Sequence, residues 1–262
     1  NQKQIFFKNA SGYKLAAKLE MPEEVVIGYA LFAHCFTCNK NFLAVRNIGR
    51  ALNKAGIAVL RFDFTGLGES EGAFEQTNCS SNVQDLVAAA RYLEEHHEAP
   101  KIIIGHSLGG AAVVFASQFL PSIKAVATLG APSNPQHVTH LLKSGITEIE
   151  KKGEAVLKIG GRKFKIQKQF LDDLNEKNME QTIRGLKLPL LVLHSPQDTT
   201  VGIENAAQIY QAAWHPKSFI SLDGADHLLT NKRDSLYAGD MIAHWSVRYI
   251  NFRMIIFKPI TD

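Results

Sequence analysis

The sequence predicts an α/β fold, a mostly parallel central sheet with helices on both faces, on three observations. Short runs that are apolar almost throughout recur along the chain, as strands covered on both sides require. Between them lie stretches with apolar residues every three or four positions, the spacing of amphipathic helices. The two kinds of segment alternate, which calls for βα units joined by right-handed crossovers. The 262 residues are 45% hydrophobic and 21% charged, enough for a sizeable core and incompatible with global disorder. A chain of this length stays undivided in many α/β folds, so residues 1–262 are expected to form a single domain.

The elements follow in order. Gln4 to Asn9 and Tyr13 to Met21 alternate around the turn residues Ser11-Gly12 and read as a hairpin. The run Val25 to Ala33 is the first doubly covered strand. Phe42, Val45, Ile48 and Leu52 stripe a helix that stops at Gly56, and Ile57 to Phe64 is the next strand. Ser80 or Ser81 can cap a helix whose inner face is Val83, Leu86, Val87, Ala90 and Tyr92-Leu93. Lys101 to Ile104 is a short buried strand and Gly109 to Leu120 a helix of small residues. Strands follow at Ala125 to Leu129, Leu188 to His194 and Lys217 to Leu222, the last two separated by a helix carrying Ile203, Ala206, Ala207 and Tyr210. A final helix carries Leu236, Ile242, Trp245 and Tyr249. There is no internal repeat.

The interval from Ser133 to about Leu186 breaks this rhythm. Glu154 to Ile159 and Arg162 to Ile166, joined by Gly160-Gly161, form a predicted hairpin with a two-residue turn. Pairing 159 with 162 and 157 with 164 sets Ala155, Leu157, Ile159, Phe164 and Ile166 on one face, and Val156, Lys158, Lys163 and Lys165 on the other. An apolar face needs cover, so residues 133–186 are read as a small cap insertion over the sheet and not as a second domain. The lysines form a solvated face that could attract an acidic partner. The tail Asn251 to Asp262 has no assigned role.

Gly105-His106-Ser107-Leu108-Gly109 follows a strand and opens a helix, the G-x-S-x-G pattern of a nucleophile elbow. On such a turn the hydroxyl of Ser107 is lifted clear of the sheet, with a helix N-terminus behind it. Side chains two residues either side have no room, hence glycine at both. A serine hydroxyl needs a base, and an acid to orient that base. Functional groups in open α/β sheets lie at the carboxyl ends of strands, in the chain order serine, acid, histidine. Asp198, past the strand ending at His194, and His227, past the strand ending at Leu222, satisfy both conditions. Asp226 and Asp223 are the rival acids, and His194 and His106 the rival bases. The oxyanion formed in acyl transfer needs two donors. These are assigned to the backbone N–H groups of Leu108 and of Phe36, the latter in the turn after the first buried strand.

With these residues in view, the chain resembles an α/β-hydrolase-fold serine hydrolase over essentially its whole length. More narrowly, His34-Cys35-Phe36-Thr37-Cys38, Arg61-Phe62-Asp63-Phe64-Thr65-Gly66-Leu67-Gly68 and Ser221-Leu222-Asp223-Gly224-Ala225-Asp226-His227-Leu228-Leu229 resemble a bacterial subgroup often fused to a C-terminal OsmC-like domain. The resemblance implies esterase-type chemistry, with Ser107, Asp198 and His227 matching the family triad. Two departures stand out. Many such hydrolases carry His-Gly where this chain has His34-Cys35, and the chain stops soon after Ile250, with no room for an OsmC-like domain.

Other chemistries fit less well. Cys35-Phe36-Thr37-Cys38 spells C-x-x-C, but thioredoxin-like units are much shorter and this turn already has a task. A redox-sensitive thiol pair there remains an alternative. Zinc would find at most His34, Cys35 and Cys38, one ligand short. Glu71 replaces the third glycine of a dinucleotide fingerprint, and Ala111-Ala112 replace the Lys-Ser/Thr of a phosphate loop. Neither metal nor organic cofactor is expected. A net charge of +4 is too small for a nucleic-acid footprint, and no apolar run reaches the 18 or so residues of a membrane span. Three cysteines favour a reducing compartment over a disulfide framework, hence a cytoplasmic location, with the proviso that the chain begins at Asn1. The expected partner is a small-molecule ester. Whether the protein is a monomer or a homodimer is not legible. The expected reaction is hydrolysis of esters of small to medium acyl or aromatic acids through an acyl-enzyme on Ser107. A thioesterase or amidase with the same triad, and a non-catalytic binding module, are the alternatives.

Overall fold

Alternation at the amino end produces β1 (Gln2–Lys8) and β2 (Lys14–Glu20), paired antiparallel with Ile5 opposite Ala17 and Phe7 opposite Leu15. The structure, a computed structural model, describes residues 2–159 and 161–250. The turn between β1 and β2 closes on Asn9, whose side-chain oxygen accepts from the amides of Ser11 and Tyr13. β3 (Gly28–Ala33) is buried at every position. The strand begins later than the apolar run suggests. Val25 stays 75% exposed, and the chain joins the sheet only where the Ile27 amide reaches the Gly56 carbonyl at 2.8 Å.

Then α1 (Leu43–Lys54) leads to β4 (Ile57–Phe62), and α2 (Cys79–His96) to β5 (Ile102–His106). The cap of α2 is Asn78, not the expected Ser80 or Ser81. Its side chain accepts from the Ser81 amide at 2.8 Å while the Ser81 hydroxyl accepts from the Asn78 amide at 2.9 Å, a reciprocal capping box. α3 (Leu108–Ser117) follows and is buried along its whole length, which its run of Gly, Ala and Val permits, and β6 (Ala125–Leu129) comes next.

Residues between β6 and β9 make a 3-10 stretch (Pro135–Leu142), α4 (Ile146–Lys152), the hairpin β7 (Glu154–Ile159) and β8 (Arg162–Gln167), α5 (Lys168–Asn175) and α6 (Met179–Leu186). The hairpin register pairs Ile159 with Arg162 and Leu157 with Phe164. Ala155, Leu157, Ile159 and Ile166 are buried, whereas Val156 is 63% exposed. Gly160 of the expected turn and the tail 251–262 lie outside the described residues.

The described residues close with β9 (Leu190–His194), α7 (Glu204–Ala212), the edge strand β10 (Lys217–Ser221) and α8 (Lys232–Ile250). α7 is rotated from its expected face. Asn205, Ala206, Ile209 and Ala212 are buried and Ala207 is exposed. In α8 the buried line is Ser235, Ala238, Gly239, Ile242 and Ser246, with Leu236, Trp245 and Tyr249 at its half-buried margin.

The sheet order is β1-β2-β4-β3-β5-β6-β9-β10, with β2 antiparallel to β4 and every pairing from β4 to β10 parallel. Period-2 alternation feeds two core layers. Tyr29, Leu31 and Ala33 of β3 join the layer of α2 and α3, while Ala30 and Phe32 join that of α1 and α8. Each fully buried leucine or isoleucine stabilises this arrangement by roughly 1.5–3 kcal/mol. No helix among the described residues is long and apolar enough to cross a membrane.

Candidate active site

β5 ends at His106, and the chain turns at once into α3 through Ser107. Ser107 has φ 56° and ψ −126°, a left-handed conformation for a residue with a side chain. The turn is possible because its flanks carry no side chains. A Cβ on Gly105 would lie 2.3 Å from the Gly109 carbonyl oxygen, and one on Gly109 would lie 2.4 Å from that of His34. The elbow is thereby pressed against the turn after β3, which carries Phe36. The Leu108 N–H opens the helix beside Ser107, and neither this amide nor that of Phe36 is used in a hydrogen bond among the described residues. Two amides without hydrogen-bond partners thus lie on the elbow and on the turn packed against it, with a helix N-terminus behind Ser107.

His227 and Asp198 come to the same rim from the loops after β10 and β9. His227 Nε2 lies 2.9 Å from Ser107 Oγ, and His227 Nδ1 lies 2.7 Å from Asp198 Oδ2. Burial alone would raise the pKa of Asp198. Hydrogen bonds from His227 and from the amides of Val201 and Thr200, each amide 2.8 Å from Oδ1, outweigh it and hold the carboxyl below its ordinary range. An ionised carboxylate only accepts, so the imidazole proton sits on Nδ1 and Nε2 is left to accept from the serine.

The rival groups are engaged elsewhere. Asp226 accepts from the Thr230 amide at 2.8 Å, and Asp223 accepts from the Ser221 hydroxyl. His194 Nε2 donates to the Val201 carbonyl at 2.8 Å and stands 3.7 Å from Asp198. His106 Nε2 donates to the His227 carbonyl at 2.7 Å, which ties the elbow to the loop bearing the imidazole.

Two contributors escape sequence reasoning. Gly130, at the end of β6, has φ 51°, and a Cβ there would meet Asp198 Oδ2 at 3.3 Å and His227 Nδ1 at 3.4 Å. Its bareness lets the acid–imidazole pair settle onto the sheet; a glycine just past a buried strand was the available signal. The second is fully buried Lys40, whose amide donates to Asp63 Oδ1 at 2.6 Å and whose ammonium pairs with Asp63 and Glu69. Lys40 anchors the far foot of the Phe36 turn, and the aspartate set between Phe62 and Phe64 was its trace, since Lys40 itself sits between two asparagines.

The same turn corrects an expectation. Cys35 and Cys38 are joined by a disulfide with Cα atoms 5.3 Å apart, not held as the free thiols read from the cysteine count. The geometry of adjacent C-x-x-C residues in a tight turn brings the sulfurs together whatever the total number of cysteines. Cys79 is free and buried. Beside the turn runs a narrow cleft of about 10 Å³, lined by Phe36, Phe64, Leu67, Phe74 and Leu108. Rings from the insertion close it. Phe170 lies 5.6 Å from Phe36 and Phe164 lies 4.8 Å from Phe74. Among the described residues no group of three or more His, Cys, Asp or Glu is set to hold a metal ion.

The chain is similar to several known proteins. Residues 38–152 match the family described as serine aminopeptidase, S33. The esterase domain of a Rhodothermus marinus protein is 49% identical, with 95% of this chain and 99% of that one covered and a TM-score of 0.79. Est1E from Butyrivibrio proteoclasticus, solved with ferulic acid bound, is 22% identical over 94% of this chain and 99% of its own, with a TM-score of 0.76. The mitochondrial palmitoyl-protein thioesterase ABHD10 of Mus musculus is 24% identical over 212 residues, 78% of this chain and 70% of its own.

Proposed function

This chain belongs to the α/β-hydrolase family of esterase- and thioesterase-type hydrolases, and on that premise we propose that it hydrolyses carboxylic esters of small to medium acyl or aromatic acids. The observation that carries the reading is the unbroken line from Asp198 through His227 to Ser107, with contacts of 2.7 and 2.9 Å. In the first half-reaction His227 Nε2 takes the hydroxyl proton as Ser107 Oγ bonds to the ester carbonyl carbon. The carbonyl oxygen gains charge and accepts from the amides of Leu108 and Phe36. The carbon–alkoxy bond breaks, the imidazolium returns the proton to the departing alcohol, and an acyl-enzyme remains. Water then repeats the sequence, giving up its proton to His227 and releasing the acid. Asp198 keeps the tautomer and stabilises the imidazolium.

Residues 133–186 act in this reading as a cap on a single domain, their phenylalanines walling the acyl side. A cleft of about 10 Å³ has room for about one water and not for an acyl group. The half-buried rings of Phe36, Phe74 and Phe164 must swing aside for substrate, which favours compact or planar acyl groups over long chains. The thioesterase names of the curated relatives support a thioester as the competing leaving group.

The reading is tested by assaying the parent and Ser107→Ala on aryl acetates and butyrates, benzoate and hydroxycinnamate esters, acyl thioesters and anilides. Short and aromatic esters should turn over fastest, and the alanine variant should lose at least about a thousandfold while keeping its fold. Parent-level turnover by the variant would refute the nucleophile. A thioester preference over matched esters would replace the substrate class, and a folded parent inert on the whole panel would favour a binding module.

A further inference from the structure

The turn that carries the Phe36 amide is anchored firmly at its feet. On one side His34 leaves β3 with its ring Nδ1 2.8 Å from the Cys35 carbonyl. On the other, the amide of Lys40 is held by Asp63, and its carbonyl accepts from the buried Arg61 guanidinium. Between them the Cys38 amide donates to the Cys35 carbonyl at 3.0 Å, and the disulfide closes the same span. The crown is Thr37, a threonine with φ 63°. A β-branched residue in the left-handed region is strained and persists only where its surroundings impose it.

The crown's carbonyl is met from outside the turn. Arg162, 125 residues later in the chain and first in β8, donates from Nη2 to the Thr37 carbonyl. Hairpin register puts Arg162 opposite Ile159 and on the same face as Phe164; it is itself exposed at the hairpin end, and its guanidinium carbon lies 5.2 Å over the Phe164 ring. Phe164 touches Phe74, and Phe74 in turn lies 5.7 Å from Phe36. The insertion therefore grips both the main chain of the turn, through Arg162, and its aromatic side chain, through the ring contacts.

We propose that Arg162 is a positioning residue. By holding the Thr37 carbonyl it fixes the left-handed crown, and with it the direction of the Phe36 N–H two peptide units earlier, so that this donor meets the carbonyl oxygen as charge develops. The inference rests on the acyl-enzyme reading of the site. A planar guanidinium suits this role better than an ammonium, because one fork can donate to a carbonyl while its face lies on an aromatic ring. Arg162 never touches the substrate. Its effect belongs in the acylation rate and not in substrate affinity, since the oxyanion contact strengthens only as the transition state forms.

The test measures active-site labelling by a fluorophosphonate, together with kcat and KM on an aryl ester, for the parent, Arg162→Ala, Arg162→Lys and Lys163→Ala. Lys163 sits on the opposite face of the same strand and serves as the control for hairpin integrity. Removing an oxyanion donor outright costs 10²–10³ in rate, so loosening one should lower kcat and the labelling rate of Arg162→Ala about tenfold with KM nearly unchanged. Millimolar guanidinium should restore part of that loss, Arg162→Lys should fall between, and Lys163→Ala should match the parent. Equal labelling rates for the parent and Arg162→Ala would overturn the positioning role while leaving the acyl-enzyme reading intact. So would a loss confined to KM, or one that tracks thermal unfolding and is not rescued by guanidinium. A folded parent that never labels on Ser107 would overturn both.

Discussion

Acidification should destabilise this protein through His106. The residue is fully buried, donates from Nε2 to the His227 carbonyl at 2.7 Å, and has no partner for Nδ1 among the described residues. Burial, and then repulsion from the neighbouring His227, push its pKa from 6.5 down to about 4. An unfolded chain takes up this proton near 6.5, while the folded chain refuses it until about 4. Between those values the unfolded state binds more protons, so stability falls as the pH is lowered, and the loss levels off below about 4. The gap, 6.5 − 4 = 2.5 units, amounts to on the order of 3 kcal/mol. That is a large share of the 5–15 kcal/mol typical of a domain.

Other groups titrate as well. Asp198, held low, loses its contribution only in stronger acid, and Asp85, held high chiefly by burial, works in the opposite sense to His106. The assay is therefore a difference: urea unfolding of the parent and of His106→Gln at closely spaced pH values between 7 and 4. Glutamine keeps a donor and removes the titration. The parent should lose about 3 kcal/mol relative to the variant across that window. Parallel curves would show that His106 is not the buried neutral base described here.

Asp198→Asn should leave folding intact and lower kcat roughly 10⁴-fold in steady-state kinetics, because an amide facing Nδ1 favours the wrong tautomer. Gly109→Ala sets a methyl 2.4 Å from the His34 carbonyl oxygen and 2.6 Å from that of Ala33, backbone atoms that cannot yield. It should cost about 1–3 kcal/mol by denaturant titration, and turnover should fall with it as the turn is pushed off the elbow. Burial pushes the Cys79 thiol up to about 12, so iodoacetamide at neutral pH should modify it only after unfolding, as a peptide map would record.

What could be read in advance follows from where the information lies in the chain. Strands such as β3, β5 and β6 are apolar at nearly every position because both faces are covered, and the elbow announces itself through glycines that sterics demand. The meeting of Ser107, Asp198 and His227 at one rim could be anticipated because the loops at strand ends converge there. The insertion was harder. α4, α5 and α6 are seven or eight residues long, too short for helical period to stand out, while the hairpin's alternation around two glycines was plain. The α2 cap was misplaced by two or three residues because Asn78, Ser80 and Ser81 are all competent caps, and only the reciprocal bond selects the first. Oxidised and reduced cysteines share one letter, so the disulfide lay beyond the reach of spacing. The Arg162–Thr37 contact spans 125 residues and leaves no periodic trace.

Mass spectrometry of the acid-quenched protein, taken during turnover of a slowly deacylating aryl ester, tests the covalent intermediate most directly. The peptide containing Ser107 should gain the mass of the acyl group, the adduct should decay with the rate of product release, and it should be absent from Ser107→Ala. Turnover with no acylated peptide at any time, or with the acyl group on another residue, would contradict the assignment.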